Sequence, residues 1–130
     1  MKRNEFRLAL FTSFGFFFIW VDVCIGHLGS DQFKVFMLIP LVFLPFATVM
    51  TIVTALWPTK LTRNIFWGIS VLAVIVGMVG FYFHSVKLQE HFVGLMQWQV
   101  LVRLMRYPPL FAPLAISGLG ILGLMINCES

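Results

Sequence analysis

The chain has 130 residues, of which 60% are apolar and 11% are charged, and its formal net charge is +4. Soluble domains carry about 25% charged residues, so this composition excludes an ordinary water-soluble globule and indicates an integral membrane protein in contact with the lipid bilayer. The lysines and arginines lie beside the apolar segments and form no basic cluster with interleaved aromatics, which excludes nucleic acid as a partner. The length fits one domain covering residues 1–130.

Four apolar segments predict four transmembrane helices, at about 8–28, 35–57, 65–84 and 110–127. Each is near the roughly 20 residues that span a bilayer. The first follows a basic start, but it is longer than a signal-peptide core and no small-residue cleavage site follows it, so we expect an uncleaved helix. The short loops predict an all-α, antiparallel up-down bundle of four transmembrane helices.

The second segment contains two prolines and a row of threonines. Pro40 and Pro45 each remove a backbone donor, which a membrane helix tolerates when neighbouring groups satisfy the freed carbonyls. Thr48, Thr51 and Thr54 recur every three residues. The row either lines a polar path, or its hydroxyls bond carbonyls of their own helix.

An amphipathic stretch follows the third segment. Its polar residues recur at three-to-four spacing opposite a row of apolar ones, so we expect the third helix to extend beyond residue 84. An amphipathic interfacial helix at about 86–106 is predicted between the third and fourth transmembrane helices. Trp98 and Tyr107 suit the level of the lipid headgroups.

Small residues in the third and fourth segments favour close helix packing, because they let two backbones approach each other. They are Ala73, Gly77, Gly80, Ala112, Ala115 and Gly118. Their number exceeds what a four-helix bundle needs for itself, which indicates that other membrane subunits pack against this chain.

Positive charge gives a preferred orientation in the membrane. With the N-terminus inside, the cytoplasmic side carries five cations and the outer side four, namely Lys2, Arg3, Arg7, Lys60 and Arg63 against Lys34, Lys87, Arg103 and Arg106. The positive-inside rule therefore favours an N-terminus inside. We expect the protein in a bacterial inner (cytoplasmic) membrane.

Asp22 lies inside the first apolar segment, six residues before Leu28. A charged side chain within a membrane helix is costly, so it is a functional candidate by default. Asp22 is interpreted as a proton site, a quinone contact, or a structural partner for Lys34, Lys87 or a histidine. The alternatives are that it is protonated, or bonded to a neighbouring helix in a larger assembly.

The topology places all three histidines at one membrane face. His27 with His84 or His91 could ligate a b-type haem, and Gly77 and Gly80 would leave room for its macrocycle. A second interpretation is a metal site of His27, His84 or His91, completed by Glu90. A third is that the histidines only hold polar positions at the lipid edge.

No feature of the sequence predicts catalysis. Ser85 and His84 are adjacent, so they point in different directions on a helix and form no dyad. The leading hypothesis is a small accessory subunit of a larger membrane complex, in a respiratory or other electron-transfer chain. The alternative is a bis-histidine membrane cytochrome or a metal-binding membrane protein.

Overall fold

The computed structural model describes residues 3–28, 34–92 and 111–128, together with positions 94, 96, 98, 99 and 102; the side chains of 88–92 and 127–128 lie outside this description. Within it the chain is all-α, as predicted. Its four long helices are α1 (Arg3–Leu28), α2 (Leu38–Leu56), α3 (Lys60–Phe92) and α4 (Phe111–Cys128), with a short 3-10 helix (Val35–Met37) leading into α2.

Three stretches of helix are long and apolar enough to cross a membrane: Arg3–Leu28, Val35–Leu56 and Lys60–Lys87. The apolar part of α4, Phe111–Ile126, is shorter. Length and composition thus support three membrane-length helices and a shorter apolar helix packed with them.

α1 and α2 pack antiparallel. The Ser13 hydroxyl donates to the Thr48 carbonyl oxygen at 3.2 Å, and the Trp20 indole N–H donates to the Leu41 carbonyl oxygen at 3.2 Å. Because the partner's number falls as the α1 number rises, the two helices run in opposite directions.

α3 and α4 form the other close pair. The Ser117 hydroxyl donates to the Val74 carbonyl oxygen at 3.2 Å, and Gly120 lies against the backbone of Ser70. Smaller contacts join α1 to α4 and α2 to α3, so the four helices close into a ring in which α1 and α3 are diagonal.

The core lies where all four helices meet. Phe16, Leu44, Ala73 and Ile116, one from each helix, are 0–3% exposed. The outward faces also remain apolar: on α1 alone, Phe18 is 68% exposed. An apolar exterior around an apolar core is what a lipid or protein environment requires.

α3 begins five residues earlier than its apolar run because the chain caps it at Thr59. The Thr62 backbone N–H donates to the Thr59 hydroxyl at 3.2 Å, while the Thr59 backbone N–H donates to the Thr62 hydroxyl at 3.0 Å. This reciprocal arrangement is a capping box with threonine in the place usually taken by glutamate.

α3 also continues without a break to Phe92, so the first residues of the interfacial helix predicted at 86–106 belong to α3. Most of the remainder, including Tyr107 just beyond it, lies outside the described residues, and that helix stays a prediction.

The two prolines of α2 occupy different positions, and only one of them leaves a carbonyl without its usual donor. Pro40 is in the first turn of α2, where no hydrogen bond is lost, whereas Pro45 is in the interior. Pro45 cannot donate to the Leu41 carbonyl four residues before it, and the Trp20 indole supplies that missing donor from α1.

The hydroxyls of the threonine row form hydrogen bonds within their own helix. Thr48, Thr51 and Thr54 donate their hydroxyls to the carbonyls four residues earlier, at 2.9, 2.6 and 2.8 Å. Such back-bonding is common for threonine in helices. This geometry agrees with the second interpretation of the row rather than with a polar path.

Candidate histidine site

The structure brings His27 and His84 together at one end of the bundle. His27 is in the last turn of α1 and His84 is late in α3, on the diagonal of the helix ring. Their ring centroids are 6.4 Å apart and the ring planes are nearly perpendicular, at 85°. Two helices that touch little elsewhere therefore face each other through two imidazoles.

A hydrogen bond to the backbone fixes the tautomer of His27. Its Nδ1 lies 3.0 Å from the Val23 carbonyl oxygen, one turn earlier on α1. A carbonyl oxygen can only accept, so Nδ1 carries the hydrogen that it donates. In the neutral ring, Nε2 then has the free lone pair.

The Nδ1 of His84, unlike that of His27, has no hydrogen-bond partner in the described structure, and it is buried. A buried nitrogen without a partner costs about 1–3 kcal/mol, and buried polar groups in proteins are seldom left in this state. The end of the bundle therefore holds one oriented lone pair and one nitrogen in need of a partner.

Aromatic rings pack against one another near this end of the bundle. Phe36, in the 3-10 helix, stacks on Phe83 of α3 with ring centroids 5.8 Å apart, and Tyr82 meets Phe83 edge to face at 5.9 Å. Tyr82 itself is exposed.

The side chains of Glu90 and His91 lie outside the described residues. Among the described residues, no group of three histidine, cysteine, aspartate or glutamate side chains is arranged to hold a metal ion. Among the described side chains, the site consists of the two imidazoles of His27 and His84.

The glycine face on which a haem macrocycle was expected is filled by α4. A Cβ added at Gly77 would collide with the Ser117 hydroxyl and the Pro113 carbonyl oxygen, and one added at Gly80 would lie 3.3 Å from the Pro113 side chain. This face of α3 serves helix packing, so it offers no groove for a macrocycle below His84.

Asp22 points away from the histidines. It is exposed on α1, and His27 follows it by five positions, a rotation of about 500°, which leaves the two side chains about 140° apart. Within the described part of the chain Asp22 forms no hydrogen bond or ion pair. A role as partner of a histidine in this chain is not supported.

The small residues divide into two groups. Ala73 and Gly77 are buried and Gly80 is half-buried, all on the α3 face that meets α4. On α4, Ala112 is half-buried, while Ala115 and Gly118 are exposed and nothing lies within 4 Å of a Cβ added at Gly118. The close α4 contacts are made by Gly120 and Gly123 instead.

Glu5 is a buried charged residue that the sequence reasoning missed. It is 3% exposed in the first turn of α1 and has an interaction partner. The available signal was its register, because Glu5, Ala9, Thr12 and Phe16 follow helical spacing and share the buried face.

When uncharged, two imidazoles in this arrangement can act as ligands or as proton carriers, because each ring then offers a nitrogen lone pair. Comparisons with protein-family models, curated proteins and solved structures found no match to this chain.

Proposed function

We propose that this chain is an integral membrane protein and a small accessory subunit of a larger membrane complex, without catalysis of its own. The observation that carries the proposal is the position of Asp22, which is exposed on the apolar outer face of α1. Its neighbours on that face, Phe18 and Ile25, are 68% and 73% exposed.

The cost of this position is the physical reason for a partner. Asp22 lies about 9 Å inside the end of α1, at 1.5 Å per residue. A carboxylate at the centre of the bilayer costs about 2.5–3.5 kcal/mol on insertion scales, and less nearer the interface. A lysine, an arginine or a hydrogen-bond donor on a neighbouring subunit offsets this cost.

The surface around Asp22 leaves room for such a helix. Gly26 is one turn further along the same face, and nothing lies within 4 Å of a Cβ added there. Small residues let a neighbouring backbone approach closely. The exposed Ala115 and Gly118 give α4 a second outward position of this kind.

The proposal keeps the orientation and the class of complex predicted from the sequence. The N-terminus is inside, in a bacterial inner membrane. An electron-transfer complex is the class we favour, because imidazoles are common ligands of redox centres.

Co-purification tests the proposal. An affinity-tagged chain is expressed in its own cells, extracted in mild detergent, and analysed by blue-native electrophoresis and by identification of the co-purifying chains. We expect a species much larger than one 14.9 kDa chain in its detergent micelle, containing a defined membrane partner. Asp22→Leu should release that partner, and Asp22→Asn, which keeps a hydrogen-bonding group, should release less of it.

Val42→Leu is the matched control, because Val42 is 67% exposed on the outer face of α2 and the change keeps the side chain apolar. It should retain the partner. A wild-type chain that migrates alone, or an Asp22→Leu variant that keeps the same partner, contradicts the proposal.

A further inference from the structure

We propose that His27 and His84 together bind a single transition-metal ion between their imidazoles, with monovalent copper as the ion that fits the two-nitrogen set. The site lies at the end of the bundle where α1 and α3 meet. This inference stands apart from the accessory role, because it needs only the folded bundle and no partner subunit.

The first support is the state of the His27 ring. Metal-binding histidines usually donate their second ring N–H to a carboxylate, a backbone carbonyl or water, which fixes the tautomer and strengthens the ligating nitrogen. The bond from His27 Nδ1 to the Val23 carbonyl is that arrangement. It leaves Nε2 as the ligand atom.

The second support is the buried Nδ1 of His84, which has no hydrogen-bond partner in the described structure. With the ring proton on Nε2, this nitrogen presents a lone pair away from water. A metal ion supplies the partner that it lacks.

The third support is the separation of the rings. Two imidazole–metal bonds of about 2 Å each, placed end to end, put the ligating nitrogens about 4 Å apart. An ion bound in line by one nitrogen of each ring therefore requires ring centres somewhat farther apart than this, and the observed 6.4 Å between the centroids meets that requirement. The nearly perpendicular planes let two rings meet at one ion without stacking.

The number of donors selects the ion. Zinc takes four ligands, or three with a water in catalytic sites, and no three-donor group is formed in the described part of the chain. Copper binds imidazole strongly, and its monovalent form accepts two nitrogen donors in a nearly linear arrangement. The filled glycine face of α3 disfavours haem iron.

A competition titration tests the site. The full-length chain, purified in detergent without metal, is titrated under anaerobic conditions with monovalent copper in the presence of a chromogenic copper chelator. We expect one ion per chain. His27→Gln and His84→Gln, which keep a polar side chain of similar length, should each weaken binding at least 10-fold, with unchanged helical circular dichroism.

Cys24→Ser is the matched control, because Cys24 is a free, half-buried thiol one turn before His27 on α1. It should bind copper as the wild type does, and X-ray absorption of the wild-type complex should show two nitrogen donors. Unchanged binding by either histidine variant, loss of binding by Cys24→Ser, or sulfur in the copper shell would overturn the proposal. A purified protein with a Soret band that His84→Gln removes would overturn it in favour of haem iron.

Discussion

The α1–α2 pair and the α3–α4 pair are held together by different means. Between α1 and α2, long or polar side chains reach across and donate to carbonyls of the other backbone, as Ser13 and Trp20 do. Between α3 and α4, glycines bring the backbones themselves together, as at Gly77 and Gly120. The α3–α4 interface also has one such bond, from the Ser117 hydroxyl to the Val74 carbonyl, but what sets it apart is the direct approach of the two backbones at its glycines.

The two interfaces are therefore sensitive to different substitutions. A carbonyl freed by proline in an apolar surrounding needs one particular donor, so the α1–α2 pair is sensitive to the loss of an N–H. A seam of touching backbones has no flexible side chain that can yield, so the α3–α4 pair is sensitive to one added carbon. The two histidines, one from each pair, meet between α1 and α3, which form neither of these two close interfaces.

The largest effect is expected for Gly77→Ala in the α3–α4 seam. The new Cβ would collide with backbone atoms of Pro113 and Ser117, so the helices must separate. Overpacking costs about 1–3 kcal/mol and occasionally more, and contact with backbone places this variant at or above the upper end. Thermal unfolding of the detergent-solubilised protein, followed by helical circular dichroism, measures the loss.

Gly118→Ala is the control for that substitution, since it adds the same carbon to a position on α4 with open space around it. It should change stability little, or raise it slightly, because alanine favours helix more than glycine by about 1 kcal/mol. Equal stability of Gly77→Ala and Gly118→Ala would mean that α3 and α4 do not touch along this seam.

A smaller loss is expected for Trp20→Phe in the α1–α2 pair. The ring remains, but the Leu41 carbonyl loses the indole N–H that replaces the missing donor of Pro45. A buried acceptor without a partner costs about 1–3 kcal/mol. Trp57→Phe, at an exposed tryptophan, should leave stability unchanged.

Pro45→Ala tests whether the loss of stability in Trp20→Phe comes from the unpaired Leu41 carbonyl. Alanine restores the backbone N–H that bonds the Leu41 carbonyl within α2, so Trp20→Phe should cost less in that background. The same unfolding experiment on the two single variants and the double variant gives this difference. Additive losses would show that the Trp20 indole does not act through the Leu41 carbonyl.

The sequence predicts the helical class well because apolar runs leave few alternatives. It also predicts that His27 and His84 share one end, since that follows from the direction of successive helices. It cannot predict which way Asp22 points, because every face of α1 is rich in apolar residues and periodicity has little contrast there. It assigns Gly77 and Gly80 to helix packing but cannot say whether a helix or a cofactor fills the space beside them; in the structure α4 lies there.

The smallest effect on stability is expected for His84→Leu, between the two helix pairs. Leucine is of similar size to histidine and has no buried nitrogen that lacks a hydrogen bond. The stability of the metal-free protein should therefore be unchanged or higher by up to about 1 kcal/mol. The same unfolding measurement with copper supplies the contrast, because a ligand stabilises only the protein that binds it. Copper should raise the melting temperature of the wild type and leave that of His84→Leu unchanged. If His84→Leu destabilises the metal-free protein, His84 already has a partner in the folded chain. The histidine would then join the two helix pairs itself, and its nitrogen would not be available to a ligand.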